Sequence, residues 1–372
     1  MGWMDEVPLW DHHCHALVAE GARADLERLV RALTEAPSDY PLDDLMNTVV
    51  VQEAMGIAAR YFRVDATLGA LASAFEGADY RAYCRELLRA AGYARLYVDT
   101  GYTPDNAWPL TTLSEVLEVP VYPILRLETT AQDCLMTSPS FDDWRDEVLA
   151  TVGRAHQDGF YGVKSIVAYR SGLQLYRVRE DEARGAWEAM RRRGASRLTD
   201  PVLLNYLLYL VTPVLIKEGL VLQFHTGLGD PDTDLIKGNP LWLRNYLEEF
   251  SRQGHRVALL HTYPYQREAA YLTSVYPGVY ADVSLAVPLT AFGAERILHE
   301  LLELAPVSRV LFASDAHTRP ESYVLAAQFF RQGFSQFLSD VVAHHHVLPS
   351  VAEDWAARVS YRNAESLYAP EI

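Results

Sequence analysis

Four apolar runs in this chain each lead into a side chain that can bind a metal ion. In chain order, these side chains belong to Asp11-His12-His13-Cys14-His15, His225, His261 and Asp315. Each run is typical of a buried strand, so each polar group lies at or near the C-terminal end of a strand. In a (β/α)8 barrel the active site is built at that end of the strands. Imidazoles and a carboxylate that converge from different strands suit a catalytic divalent metal.

Short β-rich runs alternate with longer helical patterns along the chain, as in βα units around a parallel sheet. Several runs are continuously apolar, as expected of strands that are covered on both faces. An α/β fold, a (β/α)8 TIM barrel, is therefore predicted. Its eight strands are Leu9–His13, Ala94–Asp99, Val121–Leu127, Gly162–Ala168, Val221–His225, Val257–His261, Val279–Val283 and Val310–Asp315.

The stretch between the first two predicted strands is far longer than one helix needs, and helical patterns fill it. We predict that residues 20–93 are a helical insertion over or beside the barrel mouth. A separate N-terminal domain is disfavoured because the first metal motif precedes the insertion, so residues 1–372 are predicted to form one domain. A second enlargement is expected at 180–219 and a helical tail from about Gly333 to Tyr368.

Composition restricts the class of partner. The net charge of −16, with no local basic cluster, argues against nucleic acid and anionic membranes. Cys14, Cys84 and Cys134 are widely spaced and form no CxxC pair, which fits a reducing compartment. No signal-peptide pattern or membrane-length apolar run is present. We expect a cytoplasmic protein that acts on a small molecule, with no nucleic-acid or membrane partner and with a homo-oligomer as a possible assembly.

His13 and His15 are two residues apart, so both project to one face of an extended strand. That spacing suits two ligands of one ion, although two buried, hydrogen-bonded histidines would show it too. His12 points the opposite way and is predicted to be structural. Asp11 is predicted to orient a ligand, since metal-bound imidazoles usually donate their other N–H to a carboxylate or a carbonyl.

His225 and His261 end neighbouring βα units, and either alone would be compatible with a core histidine. Asp315 ends an apolar run, where a carboxylate is costly to bury without a partner. A metal, or the water that it activates, supplies that partner. Asp315 is also the natural general base, because a carboxylate that touches this water can take its proton.

A second group of polar residues is predicted around the same site. Lys164 lies inside an apolar strand. Its predicted role is that of a buried cation, a proton shuttle or a carboxylated bridge between two metals. Tyr169 and Arg170 follow that strand, and Arg170 is either a clamp for a substrate carboxylate or a surface arginine. Arg126 and Glu128 end the third strand and are predicted to pair beside the site. We expect Arg170, Tyr169 and Arg126 to bind substrate.

Four segments, together with the Asp-x-His-x-His start, resemble the amidohydrolase superfamily. More narrowly, they are similar to its amidohydrolase-2 type, which includes the barrel domains fused to glutamine-synthetase-like domains in nodulin/FluG proteins. The likeness covers nearly the whole chain except much of 20–93. The segments are Gly162–Leu173, His225–Leu241, Leu260–Tyr280 and Ser314–Glu321.

The resemblance implies a deformed barrel of the metal-dependent hydrolase type, with one or two divalent ions. His13, His15 and Asp315 would bind the metal and His225 would be a further ligand. His261 would bind a second metal or polarise the substrate. Lys164 aligns with the strand where members with two metals place a carboxylated lysine, but many members of this type use one metal. Zinc is the first choice, with manganese, iron and nickel as alternatives.

The expected function is hydrolysis of a C–N (amide-type) bond in a small, polar, carboxylate-bearing substrate through metal-activated water. Asp315 would take the water proton and pass it to the leaving amine, while His261 steadies the developing oxyanion. Related barrels catalyse non-oxidative decarboxylation or uronate isomerisation, so both reactions are alternatives. A non-catalytic regulatory barrel is a third.

Overall fold

The computed structural model describes residues 2–368. Seven parallel strands form one sheet in which each strand pairs with the next along the chain. This arrangement and the intervening helices are those of the predicted barrel. The strands are β1 (Leu9–Cys14), β2 (Tyr93–Asp99), β3 (Val121–Arg126), β4 (Gly162–Ser165), β5 (Val221–His225), β6 (Arg256–Leu260) and β7 (Val279–Ala281).

An eighth extended segment, residues 310–315, lies between β7 and β1 and closes the barrel. On one side the Leu311 N–H donates to the carbonyl of Ala281 (3.0 Å). On the other side the Asp315 N–H donates to the carbonyl of His13 (3.0 Å). The prediction of a regular strand here is wrong, since Asp315 has a φ of 52°. That left-handed conformation interrupts the ladder and lets the chain turn toward the barrel axis.

Helices surround the barrel and fill the insertion. No helix within residues 2–368 is both long and apolar enough to cross a lipid bilayer. The α-helices of this range are α1 (Leu26–Arg31), α2 (Leu42–Met46), α3 (Val49–Phe62), α4 (Leu68–Glu76), α5 (Tyr80–Ala91), α6 (Leu110–Leu117), α7 (Leu127–Thr137), α8 (Phe141–Gly153), α9 (Val167–Arg170), α10 (Glu180–Arg192), α11 (Pro201–Lys217), α12 (Arg244–Phe250), α13 (Gln266–Val275), α14 (Ala286–Thr290), α15 (Ala294–Leu302), α16 (Pro320–His344), α17 (Pro349–Ala357) and α18 (Asn363–Tyr368).

Helices α1 to α5 lie between β1 and β2. Their starts follow ordinary capping chemistry, in which a side-chain oxygen accepts a backbone N–H of the first turn. Asp25, Thr67 and Asp79 cap α1, α4 and α5 in this way. Gly92 then ends α5 with a φ of 85°, which glycine adopts without a steric penalty.

Two predicted strands are too long, because helices begin directly after them. β3 ends at Arg126 and β4 at Ser165, and α7 and α9 follow. The buried Glu128 carboxylate accepts hydrogen bonds from the Ser165 hydroxyl (2.6 Å) and the Ile166 N–H (3.0 Å). These bonds take the chain out of the sheet after β4. The tail helix also starts earlier than predicted, at Pro320, because proline is well suited to a first helical turn.

Two apolar cores place the polar residues of β5. Leu222 and Phe224 pack in the outer core between sheet and helices, whereas Val221 packs inside the barrel. Side chains alternate along a strand, so Gln223 and His225 share the inner face with Val221. Polar atoms therefore meet on the barrel axis toward the C-terminal ends of the strands.

Candidate active site

Strand ends bring three histidines to one carboxylate. One oxygen of Asp315, Oδ1, lies 3.1 Å from His13 Nε2 and 3.4 Å from His15 Nε2. The other oxygen, Oδ2, lies 3.6 Å from His261 Nδ1. His261 Nδ1 also lies 2.7 Å from the Ser284 hydroxyl. The sequence predicted these four residues at strand ends, and the structure brings them into contact.

The ligand atoms form two overlapping groups whose members lie within 4.8 Å of one another. One consists of His13, His261 and Asp315, and the other of His13, His15 and Asp99. His225 belongs to neither group, although its ring centroid is 4.5 Å from that of His261. Sequence reasoning missed Asp99, yet the signal was present, because Asp99 also ends an apolar strand.

The site suits a divalent cation. His225 Nε2 and Asp315 Oδ1 are both buried and have no hydrogen-bond partner among residues 2–368. Buried polar atoms nearly always have a hydrogen-bond partner. Two neighbouring atoms without one therefore indicate that a ligand or an ion binds there. Imidazole nitrogens with a carboxylate oxygen are a donor set that zinc and similar ions accept.

Gln223 determines which nitrogen of His13 faces the site. Its amide N–H groups donate to the carbonyl of His12 (2.8 Å) and to the hydroxyl of Tyr368 (2.7 Å). Its oxygen, 2.9 Å from His13 Nδ1, must therefore accept a hydrogen bond from that nitrogen. The proton of neutral His13 is thus on Nδ1, and Nε2 presents a lone pair to Asp315 and a metal.

Burial keeps the histidines neutral. It lowers the pKa of His13 to about 3 and that of His261 to about 4, and it lowers the pKa of His225 as well. Burial opposes ionisation of Asp315, but the surrounding imidazoles outweigh it and hold the pKa of this carboxyl below its ordinary value. At neutral pH His13, His225 and His261 are therefore unprotonated and Asp315 is ionised, as metal binding requires.

Lys164 projects into the same cluster from β4. Its Nζ lies 3.2 Å from His13 Nε2. Burial lowers the pKa of Lys164 to about 8, although the carboxylates of Asp99 and Asp315 favour its charged form. The ammonium thus competes with a metal for the lone pair of His13.

A cavity of about 590 Å³ opens above the cluster. Residues 34–37 of the insertion line it together with Tyr169 and Arg170, so the insertion does shape the pocket. The ring of Tyr169 lies 4.1 Å from that of His225. Arg170 Nε and Nη1 are buried and have no hydrogen-bond partner among residues 2–368. Arg170 thus lines the pocket without an ion-pair partner among the described residues.

Comparison with known proteins identifies the family. A family model described as amidohydrolase matches residues 140–369, which is more than half of the chain. The chain belongs to the amidohydrolase family. Protein fluG of Emericella nidulans is 34% identical over 221 residues, which are 56% of this chain and 25% of that protein. The resemblance to the amidohydrolase-2 type and to FluG is thus confirmed. This amidohydrolase spans about a quarter of the length of that curated relative.

Solved structures share the fold over almost the whole amidohydrolase chain. A protein of Lactobacillus casei ATCC 334, named a candidate metal-dependent hydrolase, is 39% identical with a TM-score of 0.91. The match covers 98% of this chain and 96% of that one. Uronate isomerase of Thermotoga maritima has a TM-score of 0.69 at 14% identity, covering 99% of this chain and 96% of that one. The second likeness shows the fold alone.

Arg126 has a different partner from the predicted one. Its Nε lies 3.1 Å from Asp99 Oδ2 and it does not pair with Glu128, whose carboxylate holds the turn after β4. The prediction of an Arg126–Glu128 pair is therefore wrong. Burial raises the pKa of Asp99, but Arg126 outweighs it and holds that pKa below its ordinary value. Arg126 still lines the pocket of the amidohydrolase.

Asp11 and His12 support the site from outside. Asp11 accepts hydrogen bonds from the N–H groups of Ser314 (3.0 Å) and His13 (3.3 Å), and within residues 2–368 it makes no hydrogen bond to an imidazole ring. It therefore fixes two backbone segments instead of orienting a ligand ring as predicted. His12 points away from the cluster, where its Nε2 lies 2.8 Å from Asp282 Oδ2.

A methyl group at position 229 would disturb the site. A Cβ on Gly229 would lie 2.8 Å from His225 Nε2 and 2.5 Å from the Tyr169 hydroxyl. We expect Gly229→Ala to displace His225 and to weaken metal binding by about tenfold or more, without loss of the fold. Metal content by mass spectrometry and circular dichroism measure the two effects. Gly185→Ala is the control, since nothing lies within 4 Å of its Cβ. Unchanged metal content in Gly229→Ala would contradict this placement of His225.

Lys164 makes metal binding depend on pH. Below pH 8 its proton must be released for a metal to reach His13, so affinity should rise by up to about tenfold per pH unit and level off above about 8. Competition with a chelating dye between about pH 6 and pH 9 measures this slope. Lys164→Met should flatten the profile, whereas Lys217→Met, at an exposed lysine, should retain it. A steep profile in Lys164→Met would show that another group releases the proton.

Proposed function

We propose that this chain is a metal-dependent hydrolase that cleaves a C–N (amide-type) bond in a small, carboxylate-bearing substrate. The observation that carries the proposal is the convergence of His13, His15 and Asp315 beside the unpartnered His225 nitrogen. The likeness to the Lactobacillus casei protein, 39% identical over 98% of this chain, supports the reaction class.

His13, His15, His225 and Asp315 would hold the ion, for which zinc is the first choice. When bound, a divalent metal polarises a scissile carbonyl and makes water more acidic. Asp315 then accepts the proton of the attacking water, because its carboxylate is ionised at neutral pH. The same carboxylate delivers that proton to the leaving amine. One group thus serves both proton transfers.

His261 lies where it can assist the carbonyl oxygen. When the Ser284 hydroxyl, 2.7 Å from Nδ1, donates a hydrogen bond to this nitrogen, the neutral ring carries its own proton on Nε2. That N–H donates to the oxygen as negative charge develops. Its conformation is fixed by a backbone hydrogen bond, in which the His261 N–H donates to Asp282 Oδ1 (2.8 Å). A preorganised donor costs no reorientation when the substrate reacts.

Arg170 binds the substrate carboxylate. The two buried N–H groups of its guanidinium have no partner within residues 2–368. A carboxylate that accepts a hydrogen bond from this guanidinium forms a charge-assisted pair, which is stronger than a hydrogen bond between neutral groups. The hydroxyl of Tyr169 lies near Gly229, on the wall of the same pocket, and completes the substrate contacts.

The first experiment measures metal content and reaction type together. Protein purified without chelators, and protein reconstituted with zinc, manganese, iron or nickel, is analysed by mass spectrometry. One equivalent per chain supports a single ion and an unmodified Lys164, whereas two support a carboxylated Lys164 bridge. Each form is then incubated with N-acyl amino acids and dipeptides, aromatic carboxylic acids, and hexuronates.

We expect amine release from the first class of substrate, and only with metal present. Carbon dioxide release from the aromatic acids would assign a decarboxylase instead. Isomerised hexuronate would assign the reaction of the uronate isomerases that share the fold. Protein that takes up no metal would be a regulatory barrel, and the proposed hydrolase would be wrong.

A further inference from the structure

Most charged side chains that line the pocket already have a partner within the chain. Arg31 Nε lies 2.7 Å from Glu27 Oε1, and Arg197 Nη2 lies 3.2 Å from Asp232 Oδ2. Arg126 is neutralised by the carboxylate that ends β2. These cations line the pocket wall but need no further anion.

Apart from Lys164 and Asp315, which belong to the metal cluster, three charged groups of the pocket have no ion-pair partner among residues 2–368. The Arg170 guanidinium is one, and the carboxylates of Glu35 and Asp230 are the others. Among residues 2–368, the Glu35 carboxylate makes no hydrogen bond or ion pair, and Asp230 accepts only the N–H of Asp232 (2.9 Å). Outside the metal cluster, the unpaired groups of the pocket are therefore one cation and two carboxyl groups.

Glu35 and Asp230 line the same pocket, although they are far apart in the sequence. Glu35 belongs to the insertion, and Asp230 follows β5. Burial, together with the nearby charges of Asp315 and Asp230, raises the pKa of Glu35 to about 7. No cation of the protein offsets these charges at Glu35. The pocket therefore holds two carboxyl groups that a cationic group of a ligand would keep ionised.

We infer that the substrate is zwitterionic: its carboxylate binds Arg170, and its ammonium group binds between Glu35 and Asp230. This assignment rests on the proposed function, because both charges belong to the molecule whose C–N bond is cleaved. A cavity of about 590 Å³ admits a molecule of dipeptide size. The substrate class is thus an amino-acid derivative or dipeptide with a free amino group.

Two other occupants fit less well. A second metal would need ligand atoms close together, but neither Glu35 nor Asp230 is in a group within 4.8 Å among the described residues. An acid without an amino group, such as a hexuronate, would place its own negative charge beside both carboxyl groups and supply no ammonium to pair them. Sites that contain unmatched polar groups discriminate strongly against ligands that fail to pair them.

Two probes that differ only in the amino group test the inference. Glycyl-L-alanine carries the ammonium, the amide and the carboxylate, while N-acetyl-L-alanine lacks only the ammonium. Both probes are tested with metal-loaded protein. Hydrolysis is measured for a probe that is cleaved, and binding is measured by calorimetry for a probe that is not. We expect the free dipeptide to have a kcat/KM at least about 100-fold higher, or a Kd at least about tenfold lower.

Variants separate recognition from general damage. Glu35→Gln and Asp230→Asn should each weaken the free dipeptide by about tenfold or more and leave the acetylated probe unaffected. Asp234→Asn, which removes an exposed carboxylate of the same loop, should change neither. If both probes are used equally, or if Glu35→Gln affects both equally, the inference is wrong. Selective binding without hydrolysis would retain it and overturn the proposed reaction.

Discussion

Asp315→Asn is expected to lower turnover by about 10²–10⁴-fold, the range that loss of a general base produces. Asparagine preserves the volume of the side chain but cannot accept the proton of the attacking water. It also removes the negative charge that lies 3.1 Å from His13 Nε2 and 3.4 Å from His15 Nε2. Metal affinity should therefore fall together with kcat.

The measurement is kcat on the first amide substrate found, with metal content determined on the same sample. Saturating metal separates the two effects, since it restores occupancy but cannot restore the base. Asp158→Asn, which changes an exposed carboxylate, is the matched control. A fully metal-loaded Asp315→Asn protein with normal kcat would exclude Asp315 as the base.

Arg319→Met is expected to lower the free energy of unfolding by about 3–5 kcal/mol, because it leaves one partner of a buried ion pair uncompensated. Arg319 and Glu321 are both fully buried, with Nη2 3.0 Å from Oε1. Tyr83 of α5 donates to the same oxygen (2.8 Å), and Arg319 donates to the carbonyl of Arg23 (2.6 Å). The pair thus joins the insertion to the segment that follows Asp315.

Urea denaturation at neutral pH measures the loss. The double variant Arg319→Met/Glu321→Met is the informative comparison, since replacing a buried pair by apolar residues is often neutral. It should therefore be more stable than either single variant. Arg28→Met, at an exposed ion pair, should cost no more than about 1 kcal/mol. Equal stability of the single and double variants would show that the buried charge is compensated elsewhere.

Local patterns were sufficient for the strands and for most of the polar cluster. Apolar runs such as Val221–His225 match the structure to the residue, because a buried strand imposes both its length and its composition. The predicted length of β4 is wrong because a side chain that is distant in the sequence forms hydrogen bonds there. Glu128 ends β4 early through Ser165 and Ile166, and no pattern within residues 162–168 encodes that contact.

By itself, the sequence determined the family, the barrel and the strand-end residues His13, His15 and Asp315, since alternation and apolar runs are local properties of the chain. Only the tertiary structure decided which charges meet. It paired Arg126 with Asp99, set Lys164 against His13 and brought Glu35 of the insertion into the pocket. Such contacts join residues far apart in the chain. Their distances depend on how helices pack and how connections run, which no short stretch of sequence specifies.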